Sequence, residues 1–145
     1  RHGRCDAEKR AAELLAYVGL ESQADRPASE ITVYDRKKLM IATALACRPK
    51  VLLLDEPAAG LSPPEVTEMI ELIRRINADG LSIIVIEHNM RVVMGVSDRI
   101  VVMSRGSLIA QGSPAEIRGN EKVISAYLGE KTLRQLTAEP DFLEA

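Results

Sequence analysis

The chain has 145 residues, 46% of them hydrophobic and 28% charged, with a formal charge of -2. This is the length of one ordinary domain with enough apolar residues to bury a core, which excludes disorder by composition. The near-neutral charge excludes nucleic-acid binding by bulk electrostatics, and no apolar run approaches the ~20 residues needed to span a bilayer.

Trp is absent and there is one Phe, so aliphatic side chains must fill the core. Cys5 and Cys47 are too few for a disulfide framework or a zinc site and read as small reduced residues. The first residue is Arg1, which fits a fragment or a processed chain. In chain order, residues 6–18 read as a helix with Ala11, Leu14, Leu15 and Val18 on one face, and Gly19 can end it. Residues 21–30 are polar and contain a proline, which predicts a loop. A second helix is expected over 35–47, with Leu39, Ile41, Ala42 and Leu45 inward. Residues 51–54 are apolar throughout and too few for a helix, as in a parallel strand buried on both faces. Pro63 and Pro64 suit the first turn of a helix over about 65–77, closed by Gly80. "LSIIVIEH" reads as a second buried strand, and "MRVVMGVSD" as a short helix. "RIVVMSRGSLIAQG" predicts two strands turning at Arg105-Gly106. Ser113 to Glu116 fits a cap and first turn, with short helices to Leu128 and a loosely held tail beyond.

Strands alternating with helices are α/β order, and ligands in such sheets bind beyond the carboxyl ends of the strands. Asp55-Glu56 and Glu87-His88 both fall at such ends. A carboxylate at a strand tip can hold Mg²⁺ through oxygen, and a second beside it can polarise an attacking water. A neighbouring imidazole can contact a terminal phosphate, an arrangement suited to phosphoryl-transfer hydrolysis. Each part has a plainer reading: an Asp-Glu pair is often a solvated turn or a helix cap, and a lone histidine is often structural. Their joint occurrence in correct strand order favours chemistry.

"ALACRPKVLLLDEPAAGLSP", "IIVIEHNM" and "RIVVMSRGSLIAQGSPAEI" occur in that order. Together they resemble the second half of an ABC-transporter ATP-binding subunit, and "DEPAAGLSPPE" with "EHNM" is most similar to the ATPases of branched-chain amino acid importers. The resemblance covers nearly the whole chain, from residue 6 to about 128. It implies a partial P-loop NTPase core: a mainly parallel sheet with flanking helices and a carboxyl-terminal hairpin. Residues 1–48 would be part of the helical signature subdomain, 49–129 the carboxyl-terminal part of the ATPase core, and 130–145 a tail. It implies Asp55 as the Walker B ligand of Mg²⁺, Glu56 as general base or orienter of the lytic water, and His88 as the switch histidine facing the γ-phosphate. Residues 59–62 would form the D-loop at an interface between two ATPase subunits, with Ser62 where the family has Asp.

The signature Leu-Ser-Gly-Gly-Gln aligns with "ITVYD", residues 31–35. Thr32 keeps the hydroxyl, Val33 and Tyr34 replace both glycines, and Asp35 takes the last position. Thr32, Asp35 and Ser62 are the nucleotide-contacting residues this alignment implies. Glycine permits close approach to a phosphate, and Tyr34 puts a side chain in the way. "RKK" at 36–38 either adds positive charge near that phosphate or is an exposed basic turn. No G-x-x-x-x-G-K-[ST] occurs, so the phosphate cradle and its lysine lie outside these residues.

The resemblance therefore implies the carboxyl-terminal half of an ATPase that, at full length, binds ATP and Mg²⁺. It would pair with a second ATPase subunit, drive membrane permease subunits, and serve indirectly a solute-binding protein at the inner face of the cell membrane, without nucleic acid. The isolated half is expected to be inactive. A non-transport ABC-type ATPase, and a natural half-domain that acts by partner binding without turnover, are the alternatives. One structural consequence is also expected. The strand at 100–103 would face an empty slot, so the hairpin over 100–111 would move across to fill it or the chain would pair with a second copy.

Overall fold

The computed structural model describes residues 2–128, so the expected tail at 130–145 lies outside the described residues. The chain divides into two compact units after Val96. The first holds α1 (His2–Tyr17), a 3-10 turn (Glu21–Gln23), α2 (Val33–Ala46), β1 (Val51–Asp55), α3 (Pro63–Ala78), β2 (Ser82–Ile86) and α4 (Met90–Val96). The second holds β3 (Ile100–Ser104), β4 (Ser107–Gly112), α5 (Pro114–Arg118) and α6 (Glu121–Leu128).

In the first unit, each helix boundary has a chemical cause. Gly19, at φ +72°, closes α1. Its N–H donates to Ala16 O at 3.0 Å and that of Leu20 to Leu15 O at 2.7 Å, a left-handed cap that also buries Leu20. α2 begins two residues earlier than its apolar periodicity suggests, because the Thr32 hydroxyl accepts from Asp35 N–H at 3.0 Å. At the start of α3 the Glu65 carboxylate accepts from Ser62 N–H and Oγ–H at 2.7 and 2.6 Å, and Pro63 and Pro64 fill the first turn.

The core of this unit forms where α1, α2 and α3 meet one face of β1. Leu14, Ile41, Leu52, Met69, Ile73 and Ile76 are buried together. Each such side chain contributes about 1.5–3 kcal/mol by leaving water. The Tyr17 hydroxyl donates to Asp79 Oδ2 at 2.6 Å, and the Arg75 guanidinium lies 4.7 Å from the Tyr17 ring, tying the end of α1 to the end of α3. Asp35 is a buried charge, 8% exposed. Burial pushes its carboxyl up, but the Lys38 ammonium at 2.9 Å and the Thr32 hydroxyl outweigh it and hold it below the usual range.

β1 and β2 pair in parallel, Val51 opposite Ser82 through Asp55 opposite Ile86. The expectation that both strands are buried on both faces is corrected. Leu52 is buried and Leu54 and Ile83 pack on the core, but Leu53 is 68%, Ile84 54% and Ile86 60% exposed. The apolar sequence is that of a strand between two layers, and among the described residues only one layer covers it.

In the second unit, β3 and β4 form the predicted hairpin. Arg105 and Gly106 take φ +50° and +78°, the left-handed pair that a two-residue turn needs to follow strand twist. The Glu116 carboxylate accepts from Ser113 N–H at 2.7 Å and opens α5, which buries Ile117. α5 and α6 pack on β4. Among the described residues the strands form two two-stranded sheets, β1–β2 and β3–β4, so the expected extension of the first sheet by the hairpin is not found. β3 satisfies one edge within its own hairpin, a local pairing that needs no distant loop closure.

Tyr34 is buried in the first unit's core, with the Lys38 ammonium 4.5 Å from its ring centroid. Tyr34→Gly removes that burial and loosens the first turn of α2, so unfolding should become easier by roughly 3 kcal/mol or more. Chemical denaturation of the purified protein checks it, and an unchanged midpoint would mean the ring does not anchor the helix. The exposed row of Leu53, Ile84 and Ile86 beside unpaired strand edges also predicts concentration-dependent self-association of the 145-residue chain. Sedimentation equilibrium measures this, and a monomer across the full concentration range would contradict it.

Candidate active site

The parallel register brings the ends of β1 and β2 level, since Asp55 lies opposite Ile86. The next residues on the two strands are therefore Glu56 and Glu87, followed by His88. Glu56 donates its N–H to Ile86 O at 2.9 Å and then turns away at φ +45°. A non-glycine residue there is strained by about 1–2 kcal/mol, so its surroundings must hold it. The Glu56 carbonyl accepts from Ala59 N–H at 3.1 Å and from Lys37 Nζ at 2.9 Å.

The side chains of Glu56 and His88 meet, Oε1 to Nδ1, at 3.3 Å. Both are open to solvent, 54% and 70% exposed, so the pair contributes little to stability and is accessible to a ligand. Asp55 is exposed on the adjoining strand tip. No group of three or more His, Cys, Asp or Glu side chains that could hold a metal occurs among the described residues. Asp55 fits a hard cation such as Mg²⁺ only as one oxygen ligand, with phosphate and water supplying the rest.

Glu56, His88 and Asp55 are thus gathered at one sheet end. Thr32, Asp35 and Ser62 are engaged elsewhere: Thr32 caps α2, Asp35 pairs with Lys38, and Ser62 shares a capping box with Glu65. The two Ser62 hydrogen bonds hold the Glu65 carboxyl below its usual range. Tyr34 turns into the core. The basic triplet is divided, Lys37 reaching the Glu56 carbonyl and Lys38 reaching Asp35.

Two contributors escape a motif reading. Lys37 ties α2 to the Glu56 turn. Glu87 accepts from Ala58 N–H at 2.9 Å through Oε1, and from His88 and Asn89 N–H at 3.1 Å each through Oε2. Its only sequence signal is a carboxylate directly ahead of the histidine at a strand end. Behind these loops, Arg91 donates to Thr67 Oγ1 at 2.9 Å. Gly95 lets α4 approach α3, since a Cβ there would lie 3.2 Å from Ile70 Cδ1.

This geometry has relatives. Residues 3–59 match the ABC transporter family, and residues 107–131 match the family described as branched-chain amino acid ATP-binding cassette transporter. The chain is 47% identical over 131 residues to the high-affinity branched-chain amino acid transport ATP-binding protein LivG of Salmonella typhimurium, covering 90% of this chain and 51% of that one. It is 38% identical over 123 residues to the lipopolysaccharide export system ATP-binding protein LptB of Escherichia coli, covering 85% and 51%. The chain therefore spans about half the length of the curated relatives it matches. Among solved structures, an ATP-binding cassette of an ABC transporter in its ADP conformation superposes with a TM-score of 0.71 at 27% identity, over 92% of this chain and 51% of that one. The protein cbiO1 of Clostridium perfringens, part of an ABC transporter complex, superposes with a TM-score of 0.73 at 33% identity, over 90% and 53%. A core with the P-loop NTPase fold, strand-end carboxylates paired with a histidine, and this agreement in sequence and structure lead to one conclusion: the chain is similar to ABC-transporter ATP-binding domains over about half of their length.

Proposed function

We propose that this chain is the hydrolytic half of an ATPase subunit that powers an importer of branched-chain amino acids or similar solutes. The carrying observation is the 3.3 Å approach of Glu56 and His88 at the level ends of two parallel strands. The likeness to LivG supports the solute class.

In this reading, Glu56 accepts the proton of the attacking water while its strained turn keeps the carboxylate aimed outward. With its Nδ1–H donated to Glu56, the His88 imidazole presents Nε2 to the terminal phosphate, as a donor when protonated. Asp55 would hold Mg²⁺, which when bound neutralises phosphate charge. Thr32 and Asp35 at the start of α2, and Ser62 before α3, would face nucleotide across a subunit interface. The exposed face of Leu53, Ile84 and Ile86 would be covered by the phosphate-binding half. The assembled ATPase would pair with a second ATPase subunit and dock on permease subunits at the inner face of the cell membrane, served by a solute-binding protein.

The test uses the full-length subunit. Glu56→Gln should lower MgATP turnover ~10²-fold or more while ATP binding is kept, because the amide preserves shape but cannot take a proton. The 145-residue chain alone should show no turnover above background. Wild-type hydrolysis by the Gln variant would remove Glu56 from the mechanism. His88→Ala should lower kcat by ~10²-fold, the scale of one lost electrostatic or proton-transfer contact. Measured beside thermal denaturation, a change in stability with kcat unaltered would make His88 a structural residue.

A further inference from the structure

The Glu56–His88 pair poses a physical problem. Both side chains are more than half exposed, so no packing holds them 3.3 Å apart. Their separation must be set through the backbone of two loops. One tie is the Glu56 N–H to Ile86 O bond at 2.9 Å. Beyond the ladder, one tie leaves the two loops free to hinge about it, and a second, displaced tie is needed to fix the angle between them.

Glu87 supplies that second tie. It lies between β2 and His88 and is itself half-buried. Its Oε1 crosses to the other loop and accepts from Ala58 N–H at 2.9 Å. Its Oε2 folds back on its own loop and accepts from His88 and Asn89 N–H at 3.1 Å each. Ala58 is buried, 5% exposed, so its N–H could not turn to water if the carboxylate were lost. All three bonds run from a neutral N–H to an ionised oxygen, the stronger class. A single carboxylate therefore clamps the residues two positions after Glu56 to those at and after His88.

We propose that Glu87 is a positioning residue for hydrolysis, which holds Glu56 and His88 at their working separation without touching the substrate. This rests on the ATPase reading above. Misplacing a reacting group by an ångström can cost as much as ~10²-fold in rate, so loss of the clamp should appear in kcat before it appears in binding.

The experiment compares wild type, Glu87→Gln and Glu87→Ala in the full-length subunit. The amide of Gln keeps one acceptor but in either orientation turns its NH₂ group toward an N–H donor, Ala58 on one side or His88 and Asn89 on the other, so it breaks the clamp while filling the same volume. Expected is a kcat lowered ~10–100-fold in both variants, with KM for MgATP within about two-fold of wild type. Amide hydrogen exchange of nucleotide-free protein gives a second readout, with faster exchange at Ala58, His88 and Asn89 and no change in the α3 core. Wild-type kcat in the Gln variant would overturn the proposal. So would a KM raised in proportion to the lost kcat together with exchange accelerated throughout the first unit, since that is general destabilisation. If wild-type protein itself hydrolyses no ATP, the ATPase reading fails, and with it the kinetic role of Glu87. The exchange data would then still report whether the carboxylate clamps the two loops.

Discussion

The parallel register of β1 and β2 is the constraint on which the rest depends. Parallel strands cannot be joined by a tight turn and need a crossover, here α3, whose length and packing decide where the second strand starts. Six buried aliphatic side chains from Val66 to Ile76 lock α3 to the core. Once that is done, Asp55 must lie opposite Ile86, and the carboxylate and imidazole loops must leave the sheet side by side. A slip of one residue would turn Leu52 outward and carry His88 past Glu56, so burial and site geometry are enforced by the same contacts.

The site itself is built on the opposite principle. Its side chains are exposed, and their placement comes from hydrogen bonds to main chain rather than from packing. Glu56 sits at a positive φ, fixed by Ile86 O on one side and by Ala59 N–H and Lys37 on the other. Glu87 spans both loops. Such a design leaves polar groups available to a ligand while their backbones stay rigid, and the strain is offset by bonds made nearby. Lys37 adds that the Glu56 turn is physically joined to α2, the helix opened by the Thr32 cap. A displacement of α2 would therefore be felt at the Glu56 turn through a single charge-assisted bond.

The half-covered sheet follows the same logic at larger scale. Leu53, Ile84 and Ile86 have the composition of a two-sided interior, yet only the face carrying Leu52 and Leu54 meets helices among the described residues. In the proposed reading, this is the face that a phosphate-binding half would cover. Aliphatic area of this kind favours being covered, whether by another layer or by another copy of the chain.

Much was legible from residues alone. The helices, both parallel strands, the hairpin at Arg105-Gly106 and the cap at Ser113 follow from local rules: apolar period, glycine and proline punctuation, and a hydroxyl ahead of a glutamate. The strand-end positions of Asp55, Glu56 and His88 follow from the same reading. Local rules run out where partners are distant in sequence. An apolar strand does not say how many of its faces will be covered, because that depends on which other layers reach it. Lys37 and Glu87 look like ordinary surface charges until the fold brings the Glu56 carbonyl and the Ala58 N–H, 19 and 29 residues away, within hydrogen-bond reach. Tyr34 reads as an obstacle in a glycine position, and only packing shows its ring turned into the core. Sequence by itself determined the elements and the chemical groups at their ends. Tertiary structure alone decided which of those groups meet, because contact across many residues is set by the packing of α3 against the sheet and not by any local pattern.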